Sequence, residues 1–250
     1  SIARTALCLN IASNAAIADN KIVAIFNPGN TGSAIMQSMI CSEAYVSNYD
    51  VQKGLLSHKE FENITLAASA LREAMIFIDD TADISYAEIQ TKCRRIKAKF
   101  GLDLVLVDYF QLISNPYFFK NVNREKNAAE ICRSMKLIAR ELEIPIIVLS
   151  QLNKKAEDSL DKTPVLSTLR EYGAIEQNAD LVLFLHRPER LEKLKKNPDY
   201  QSQEFKGSKP FELVIAKHRN GPVGKILLTF IEKYMRFENY ISGGNYNQEL

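Results

Sequence analysis

Six short apolar runs, separated by longer segments with helical periodicity, constrain the fold of this chain more than any other feature of its sequence. Several of the runs are apolar on both faces, which is typical of parallel strands that are covered by helices. Strands that alternate with helices along a chain favour an α/β fold built on a mainly parallel sheet. The predicted strands lie at 21–26, 74–80, 102–109, 144–151, 179–187 and 211–219.

Two further patterns refine this prediction. Within 122–143 four apolar residues recur at spacings of four, three and four, which places one apolar stripe along a long helix. Toward the C-terminus, strand-like runs follow one another with only turns between them, and Asn220-Gly221 is a strong hairpin signal. We therefore expect a mainly parallel sheet between helices, with an antiparallel C-terminal edge. The stripe consists of Ile131, Met135, Ile138 and Leu142.

Composition limits the class of protein. The 250 residues are 46% hydrophobic and 25% charged, which is enough to bury the core of one large domain. With 32 basic and 30 acidic side chains the net charge is +2, so any nucleic-acid binding must come from local patches. The four cysteines form no CxxC pair, which argues against a zinc site or a disulfide framework and favours the cytoplasm. No apolar run approaches the roughly 20 residues that span a bilayer, so we expect no membrane partner.

Asp108 and Gln151 each lie at the carboxyl end of a predicted strand, where ligands bind in parallel sheets. In nucleotide-hydrolysing sites an aspartate placed there holds Mg²⁺, and an amide can sense a terminal phosphate or orient a water molecule. Plainer roles are also open, with Asp108 capping the next turn and Gln151 serving as an ordinary amide at a strand end. Both are candidate catalytic residues, and Asp108 is also a candidate metal ligand.

Lys217 and Arg219 alternate along the last long strand-like run, so their side chains project from the same face beside the predicted hairpin turn. Two cations on one face suit a phosphate group better than a core. A solvated edge strand is the alternative explanation. We treat both residues as candidate catalytic cations.

Four stretches, in their order along the chain, resemble the RecA-type motor domain of replicative DNA helicases of the DnaB family. They read LDLVLVDYFQLI, ICRSMKLIARELEIPIIVLSQL, STLREYGAIEQNADLVLFLHR and FELVIAKHRNGPVG. The resemblance runs from Ser1 to about Tyr240 and implies one RecA-like motor domain over 1–250, with 241–250 a loose tail. It also implies that an N-terminal part of the parent protein is absent.

The resemblance carries expectations about ligands and partners. The substrate would be ATP with Mg²⁺, and the protein would form a hexameric ring, a homo-oligomer, around single-stranded DNA. A primase and a helicase loader are candidate partners. Two other functions stay open, namely a non-hydrolysing DNA-binding or interaction subunit and, with less support from the motifs, a RecA-type recombinase.

The opening residues SIARTA stand where the phosphate-binding loop of this family ends in Gly-Lys-Thr. Thr5 is retained and would bind Mg²⁺ together with Asp108. Ala3 replaces the glycine, which adds a Cβ where the backbone approaches the phosphate, and Arg4 replaces the lysine with a larger planar cation. The residues expected to bind nucleotide are Ala3, Arg4, Thr5 and Ala6.

A second departure from the family follows the first predicted strand. The family usually continues with Ser-Leu-Glu-Met, whose glutamate is the expected general base, whereas 27–30 reads Asn-Pro-Gly-Asn and places Gly29 at that position. General-base catalysis typically contributes about 10²–10⁴-fold in rate. We therefore expect nucleotide to bind and hydrolysis at this subunit's own site to be impaired.

Further roles carry over from the resemblance. Arg170, Glu171 and Gly173 match the loop that lines the channel of the ring and contacts the DNA backbone, although a helix N-terminus would also explain them. Lys217 and Arg219 would reach into the nucleotide site of the neighbouring subunit. A basic run at 92–99 scatters its cations around a helix, which indicates a solvated face and not a DNA site.

Overall fold

A computed structural model describes residues 2–114, 124–151, 173–187 and 208–240. The chain divides into two compact units, Ser1–Gln151 and Leu152–Leu250, and each is described by itself. The predicted tail at 241–250 lies outside the described residues, and a single motor domain over 1–250 stays a prediction. In the part of the chain that the structure describes, no helix is long and apolar enough to cross a membrane.

The first unit contains a sheet of four parallel strands in the spatial order β2-β1-β3-β4. Every residue of the two central strands, β1 and β3, is buried, which explains why their sequences are apolar without alternation. All four strands lie within predicted runs. They are β1 (Val23–Phe26), β2 (Ile76–Asp79), β3 (Leu104–Val107) and β4 (Ile146–Val148).

Helices connect these strands, and several begin at side chains that satisfy their first N–H groups. Ser57 and Ser85 each form a reciprocal capping box with a glutamate three residues later, and Thr31 and Ser47 accept a hydrogen bond from the first turn. The helices are α1 (Ile2–Ser13), α2 (Gly32–Ala44), α3 (Asn48–Lys53), α4 (His58–Glu73), α5 (Tyr86–Phe100) and α6 (Arg124–Leu142).

The core of this unit fixes α1 against the sheet. Leu9 and Ala12 of α1 belong to the same buried cluster as Ile25 of β1 and Leu106 of β3, and Met39 of α2 joins them. Because α1 is held along its length in this way, its first turn is fixed relative to the carboxyl ends of the strands. That placement determines which side chains can meet at this end of the sheet.

The second unit contains an antiparallel sheet in the order β5-β6-β7-β8. The run at 179–187 is therefore not a parallel strand, because it pairs antiparallel with the strand that follows it. In combination with the parallel sheet, this confirms the predicted α/β fold with antiparallel C-terminal strands. The elements are α7 (Gly173–Asn178), β5 (Leu181–His186), β6 (Lys209–His218), β7 (Gly224–Ile231) and β8 (Arg236–Asn239).

The hairpin between β6 and β7 forms where Asn220-Gly221 predicts it, but its loop spans 219–223 and is longer than a two-residue turn. A Cβ on Gly221 would lie 2.4 Å from a ring atom of His218, so a larger residue there requires the exposed ring to shift. The histidine ring thus occupies the room that a side chain at 221 would take.

The stripe predicted on the long helix is confirmed in α6. Ile131, Met135 and Ile138 are buried and Leu142 is half-buried, whereas Leu137, on another face, is exposed. The helix packs against α5 and β4. One buried face thus holds α6 on the first unit.

Ile138→Ala and Leu137→Ala form a matched pair that tests this packing. Ile138 is 1% exposed and Leu137 is 52% exposed. Truncating the buried residue leaves a cavity, so we expect Ile138→Ala to lower the free energy of unfolding by about 2–5 kcal/mol. Leu137→Ala should change it by about 0.5 kcal/mol or less. Chemical denaturation followed by circular dichroism measures both, and equal losses would contradict the assignment of the buried face.

Candidate functional site

Polar side chains converge at the carboxyl end of the parallel sheet. Asn27 follows β1, Asp108 follows β3, and the segment after β4 ends in Ser150 and Gln151. The first turn of α1 lies beside them, since Thr5 contacts Asp108 and Arg4 contacts Ser150. The structure therefore brings three predicted site residues, Arg4, Thr5 and Asp108, into one cluster.

Thr5 and Asp108 are in direct contact. The Thr5 hydroxyl donates to Oδ2 of Asp108 at 2.8 Å, and the Asn27 side-chain amide donates to the same oxygen at 3.2 Å. Asp108 is 7% exposed, so its carboxylate depends on these two donors in place of water. The contact ties the first turn of α1 to the end of β3.

Burial raises the pKa of Asp108 above its ordinary value, although the Thr5 hydrogen bond and the positive charge of Arg4 act in the opposite direction. The neighbouring Cys8 thiol is also affected, because burial and then the charge of Asp108 raise its pKa to about 12. Cys8 is therefore a neutral core residue and not a nucleophile. The Asp108 carboxylate is therefore poorly solvated. Its negative charge is stabilised by hydrogen bonds from neutral groups more than by a cation.

Arg4 points toward the end of β4. Its Nη1 donates to the carbonyl oxygen of Ser150 at 2.7 Å, which is a short, charge-assisted hydrogen bond. Ala3 and Ala6, the other residues predicted to bind nucleotide, are buried in the first turns of α1. The cation at the start of α1 thus has a partner within the chain itself.

Gln111, which was not among the predicted site residues, lies in a short 3₁₀ turn after β3. Its Nε2 donates to the Ser150 hydroxyl at 3.1 Å and to the Gln151 carbonyl at 3.3 Å, and its Oε1 accepts from the Gln151 N–H at 3.4 Å. Gln111 sits three residues after Asp108, so it leaves the same strand end. The side chain of Gln151 itself is exposed.

Asn27, which was likewise not among the predicted site residues, is 1% exposed. While its Nδ2 donates to Asp108, its Oδ1 accepts from the Gly29 N–H at 3.1 Å and from the Asn30 side chain at 3.3 Å. The signal for this role is a polar residue placed directly after a wholly buried strand. Asn27 connects the carboxylate to the loop that follows β1.

Gly29, at the position of the expected general base, lies close to the turn after β3. A Cβ on Gly29 would come within 3.1 Å of Leu112 Cδ1, which is closer than ordinary van der Waals contact. Any larger residue at 29 therefore requires Leu112 to shift.

The candidate cations Lys217 and Arg219 lie in the second unit. Lys217 Nζ donates to the Glu176 carbonyl. Arg219 forms an ion pair with Asp180 at 3.0 Å and also donates to the Gln177 carbonyl at 3.5 Å. Both cations thus contact α7 or the residues that follow it, and the ion pair of Arg219 with Asp180 is exposed to solvent. Their catalytic role stays a prediction.

The predicted DNA-contacting residues are only partly described. Gly173 begins α7, whereas Arg170 and Glu171 lie outside the described residues. Their role stays a prediction.

Side chains of α5 agree with the prediction of a solvated helix face. Lys92 pairs with Asp79 at 2.5 Å, Arg94 pairs with Glu141 at 2.5 Å, and Lys97 donates to the Leu102 carbonyl at 3.0 Å. Three cations of the run are therefore used in contacts within the first unit.

The oxygen atoms of Thr5 and Asp108 suit a magnesium ion. Within the described ranges no group of three or more His, Cys, Asp or Glu side chains could hold a metal. Mg²⁺ does not need such a group, because it is usually bound by one or two protein oxygens together with phosphates and water. A hydroxyl and a carboxylate oxygen 2.8 Å apart fit that requirement.

Two aspartates at this edge of the sheet offer a test of the site's electrostatics. Burial of Asp79 acts to raise its pKa, but hydrogen bonds from Lys92 and Thr81 outweigh this and hold the pKa below its ordinary value. The stability that Asp79 contributes is present at neutral pH and lost as pH falls through its lowered pKa. The pKa of Asp108 is shifted the other way, so its contribution is complete below its ordinary value of 3.8 and is lost as pH rises through the folded-state pKa.

We therefore expect opposite effects from Asp108→Asn and Asp79→Asn. At neutral pH Asp108→Asn should raise the free energy of unfolding, with a gain that shrinks toward about pH 4, whereas Asp79→Asn should lower it by about 1 kcal/mol or less. Denaturation in buffer without metal or nucleotide measures both. Loss of stability at neutral pH in both variants would contradict this account of Asp108.

Comparisons with known proteins agree with this architecture. The chain matches the family model described as DnaB-like helicase C terminal domain over residues 1–239. It is 40% identical over 239 residues to the replicative DNA helicase DnaB of Geobacillus stearothermophilus, and equally to the replicative DNA helicase DnaC of Bacillus subtilis (strain 168). Each match covers 96% of this chain and 50% of the relative, so the chain spans about half the length of these curated relatives.

Solved structures show the same relationship. One that is described as an ATPase domain superposes with a TM-score of 0.83 at 31% identity, covering 96% of this chain and 82% of that one. A DnaB-like replicative helicase, described together with its interactions with primase, superposes with a TM-score of 0.84 at 30% identity, covering 96% of this chain and 55% of that one. The sequence match and the shared fold together show that the chain belongs to the family of DnaB-like helicase C-terminal domains.

Proposed function

We propose that this chain is the ATP-dependent motor domain of a replicative DNA helicase that acts as a hexameric ring on single-stranded DNA. Its membership of the DnaB-like family supports the helicase assignment. The observation that carries the proposal for this chain is the contact between the Thr5 hydroxyl and the Asp108 carboxylate at the carboxyl end of the parallel sheet. A hydroxyl at a helix start facing an acid at a strand end is the arrangement that binds a nucleotide with its magnesium ion.

The chain's own groups would bind the phosphates as follows. The N-terminal turn of α1 presents N–H groups and the positive end of the helix dipole, which favour an anion. Thr5 and Asp108 would hold Mg²⁺, which when bound neutralises phosphate charge. Gln151, just beyond β4, would orient a water molecule or sense the terminal phosphate.

Two features support impaired hydrolysis at the subunit's own site. Gly29 offers no carboxylate where a general base is expected, and Leu112 leaves little room for a larger residue there. One N–H of Arg4 is engaged with the Ser150 carbonyl, and a phosphate that needs this N–H must displace that bond. Binding can survive both features, because neither removes Thr5 or Asp108.

In the assembled ring Lys217 and Arg219 would serve the nucleotide site of the neighbouring subunit. A cation supplied in trans is worth on the order of 10³–10⁵ in rate in comparable phosphoryl transfers. To reach a phosphate, Arg219 must exchange its ion pair with Asp180 for the new anion. We propose the same trans position for Lys217.

The remaining partners follow from the family and the relatives. Arg170, Glu171 and Gly173 would contact single-stranded DNA in the channel. The described interactions of one solved relative include primase, and we propose a primase and a helicase loader as partners of the parent protein. We place its action in the cytoplasm.

A second function is favoured by the same departures at positions 4 and 29. A subunit that binds nucleotide and DNA without hydrolysis would contribute its DNA loop and Arg219 to a ring without driving it. The RecA-type recombinase alternative has less support, because the matched family and relatives are helicases.

Nucleotide binding and turnover separate these functions. We expect fluorescent ADP to bind the full chain with Mg²⁺, and steady-state ATP turnover to be about 10²-fold or more below that of a relative with an intact loop, with or without single-stranded DNA. Turnover at an ordinary helicase rate that is abolished by Asp108→Ala would overturn the proposed impairment.

Restoring the altered positions provides the complementary test. A variant that combines Ala3→Gly, Arg4→Lys and Gly29→Glu should gain turnover, and adding Leu112→Ala should raise it further because the contact with residue 29 is relieved. The same variant with Asp108→Ala is the matched inactive control. No gain in any combination would favour the non-hydrolysing subunit.

DNA binding tests the channel assignment. If Arg170 contacts the backbone, Arg170→Ala should weaken binding to all single-stranded sequences alike and reduce the steepness of its salt dependence. Lys97→Ala is the control, because Lys97 is engaged with the Leu102 carbonyl on the solvated helix. Fluorescence anisotropy at several salt concentrations measures both. Unchanged binding in Arg170→Ala together with loss in Lys97→Ala would assign DNA to α5 instead.

A further inference from the structure

The peptide that joins Ser150 to Gln151 is held at both of its polar groups by side chains from distant parts of the first unit. Its carbonyl accepts from Arg4 Nη1 at 2.7 Å, and its N–H donates to Gln111 Oε1 at 3.4 Å. Gln111 Nε2 adds contacts to the Ser150 hydroxyl and to the Gln151 carbonyl. We call this arrangement of Arg4 and Gln111 around the peptide the 150–151 clamp.

The clamp begins where the sheet ends. Leu149 still has main-chain partners on both sides, since its N–H donates to Val107 and its carbonyl accepts from Phe110. For the next peptide, side chains provide the partners that the sheet no longer supplies. Arg4 and Gln111 therefore support this peptide at a place where Gln111 and Gln151 are exposed to water.

The two halves of the clamp differ in their response to an anion. Gln111 is neutral and binds the peptide through ordinary amide hydrogen bonds. Arg4 is a permanent cation whose planar fork matches a phosphate group better than a single neutral carbonyl. Arg4 also lies in the first turn of α1, one residue before Thr5, where the proposed phosphates bind.

We propose that the 150–151 clamp is a phosphate-responsive switch, in which a phosphoryl group draws the Arg4 guanidinium away from the Ser150 carbonyl and loosens the backbone at Gln151. The switch rests on the proposed function, because it requires nucleotide at this site. Site occupancy then changes the position of Gln151 through Arg4, while Gln111 is the positioning residue that holds Gln151 when the site is empty.

Hydrogen exchange at the Gln151 amide, resolved by fragmentation mass spectrometry of the full chain, tests the switch. Without ligand, Gln111→Ala and Arg4→Lys should each speed exchange of this amide by about 3- to 10-fold, as expected for the loss of one supporting hydrogen bond. In the unaltered chain, ADP with Mg²⁺ or inorganic pyrophosphate should produce a similar increase. In Arg4→Lys the ligand should add little, because the clamp is already open.

Arg94→Lys is the matched control. It replaces an arginine whose guanidinium pairs with Glu141 on the solvated face of the first unit, and it should leave exchange at Gln151 and its ligand response unchanged. Gln111 is exposed, so its truncation leaves the core intact, and circular dichroism verifies the fold of each variant.

Separate titration with fluorescent ADP distinguishes failure of the switch from failure of the proposed function. If ADP binds and exchange at Gln151 stays the same or slows, the switch is overturned and nucleotide binding stands. If neither ADP nor pyrophosphate binds, the proposed nucleotide function is overturned, and the switch with it. Unchanged exchange in ligand-free Arg4→Lys and Gln111→Ala would show that the clamp does not hold the peptide.

Discussion

The hydrogen bond from Thr5 to Asp108 organises the end of the sheet where the candidate site lies. It exists only because the core packs α1 along β1 and β3, which fixes the first turn of the helix beside the end of β3. A carboxylate that is this deeply buried needs donors, and Thr5 and Asn27 supply them. The packing of α1 therefore determines which donors reach the Asp108 carboxylate.

The two aspartates at this edge differ in how the fold compensates their negative charge. Asp79 ends β2 beside an ammonium group and is stabilised in its charged form. Asp108 follows β3, and its donors there are a hydroxyl and an amide, so its charge is compensated less completely. A buried carboxyl group with a raised pKa is a candidate for a functional group, whereas a carboxylate paired with an ammonium group is typical of a structural contact.

Local patterns in the sequence were sufficient to predict the strands, the buried stripe of α6 and the position of Asp108, because each depends on periodicity or on a strand end. The partners of these residues were not predictable. Gln111 and Asn27 act through contacts with segments 40 and 81 residues away, and Arg4 bonds to a main-chain oxygen 146 residues away. Because every residue has a backbone carbonyl, the sequence cannot indicate which one Arg4 contacts, and only the folded structure identifies Ser150 as the partner.

The short distance between position 29 and Leu112 has a consequence for substitutions at either residue. A side chain at position 29 meets Leu112 at once, whatever chemistry it would bring. A mutation that enlarges residue 29 therefore requires the half-buried Leu112 side chain to give way by a few tenths of an ångström. Substitutions at 29 and 112 are therefore expected to be non-additive in their effects on stability, because the two positions share one contact.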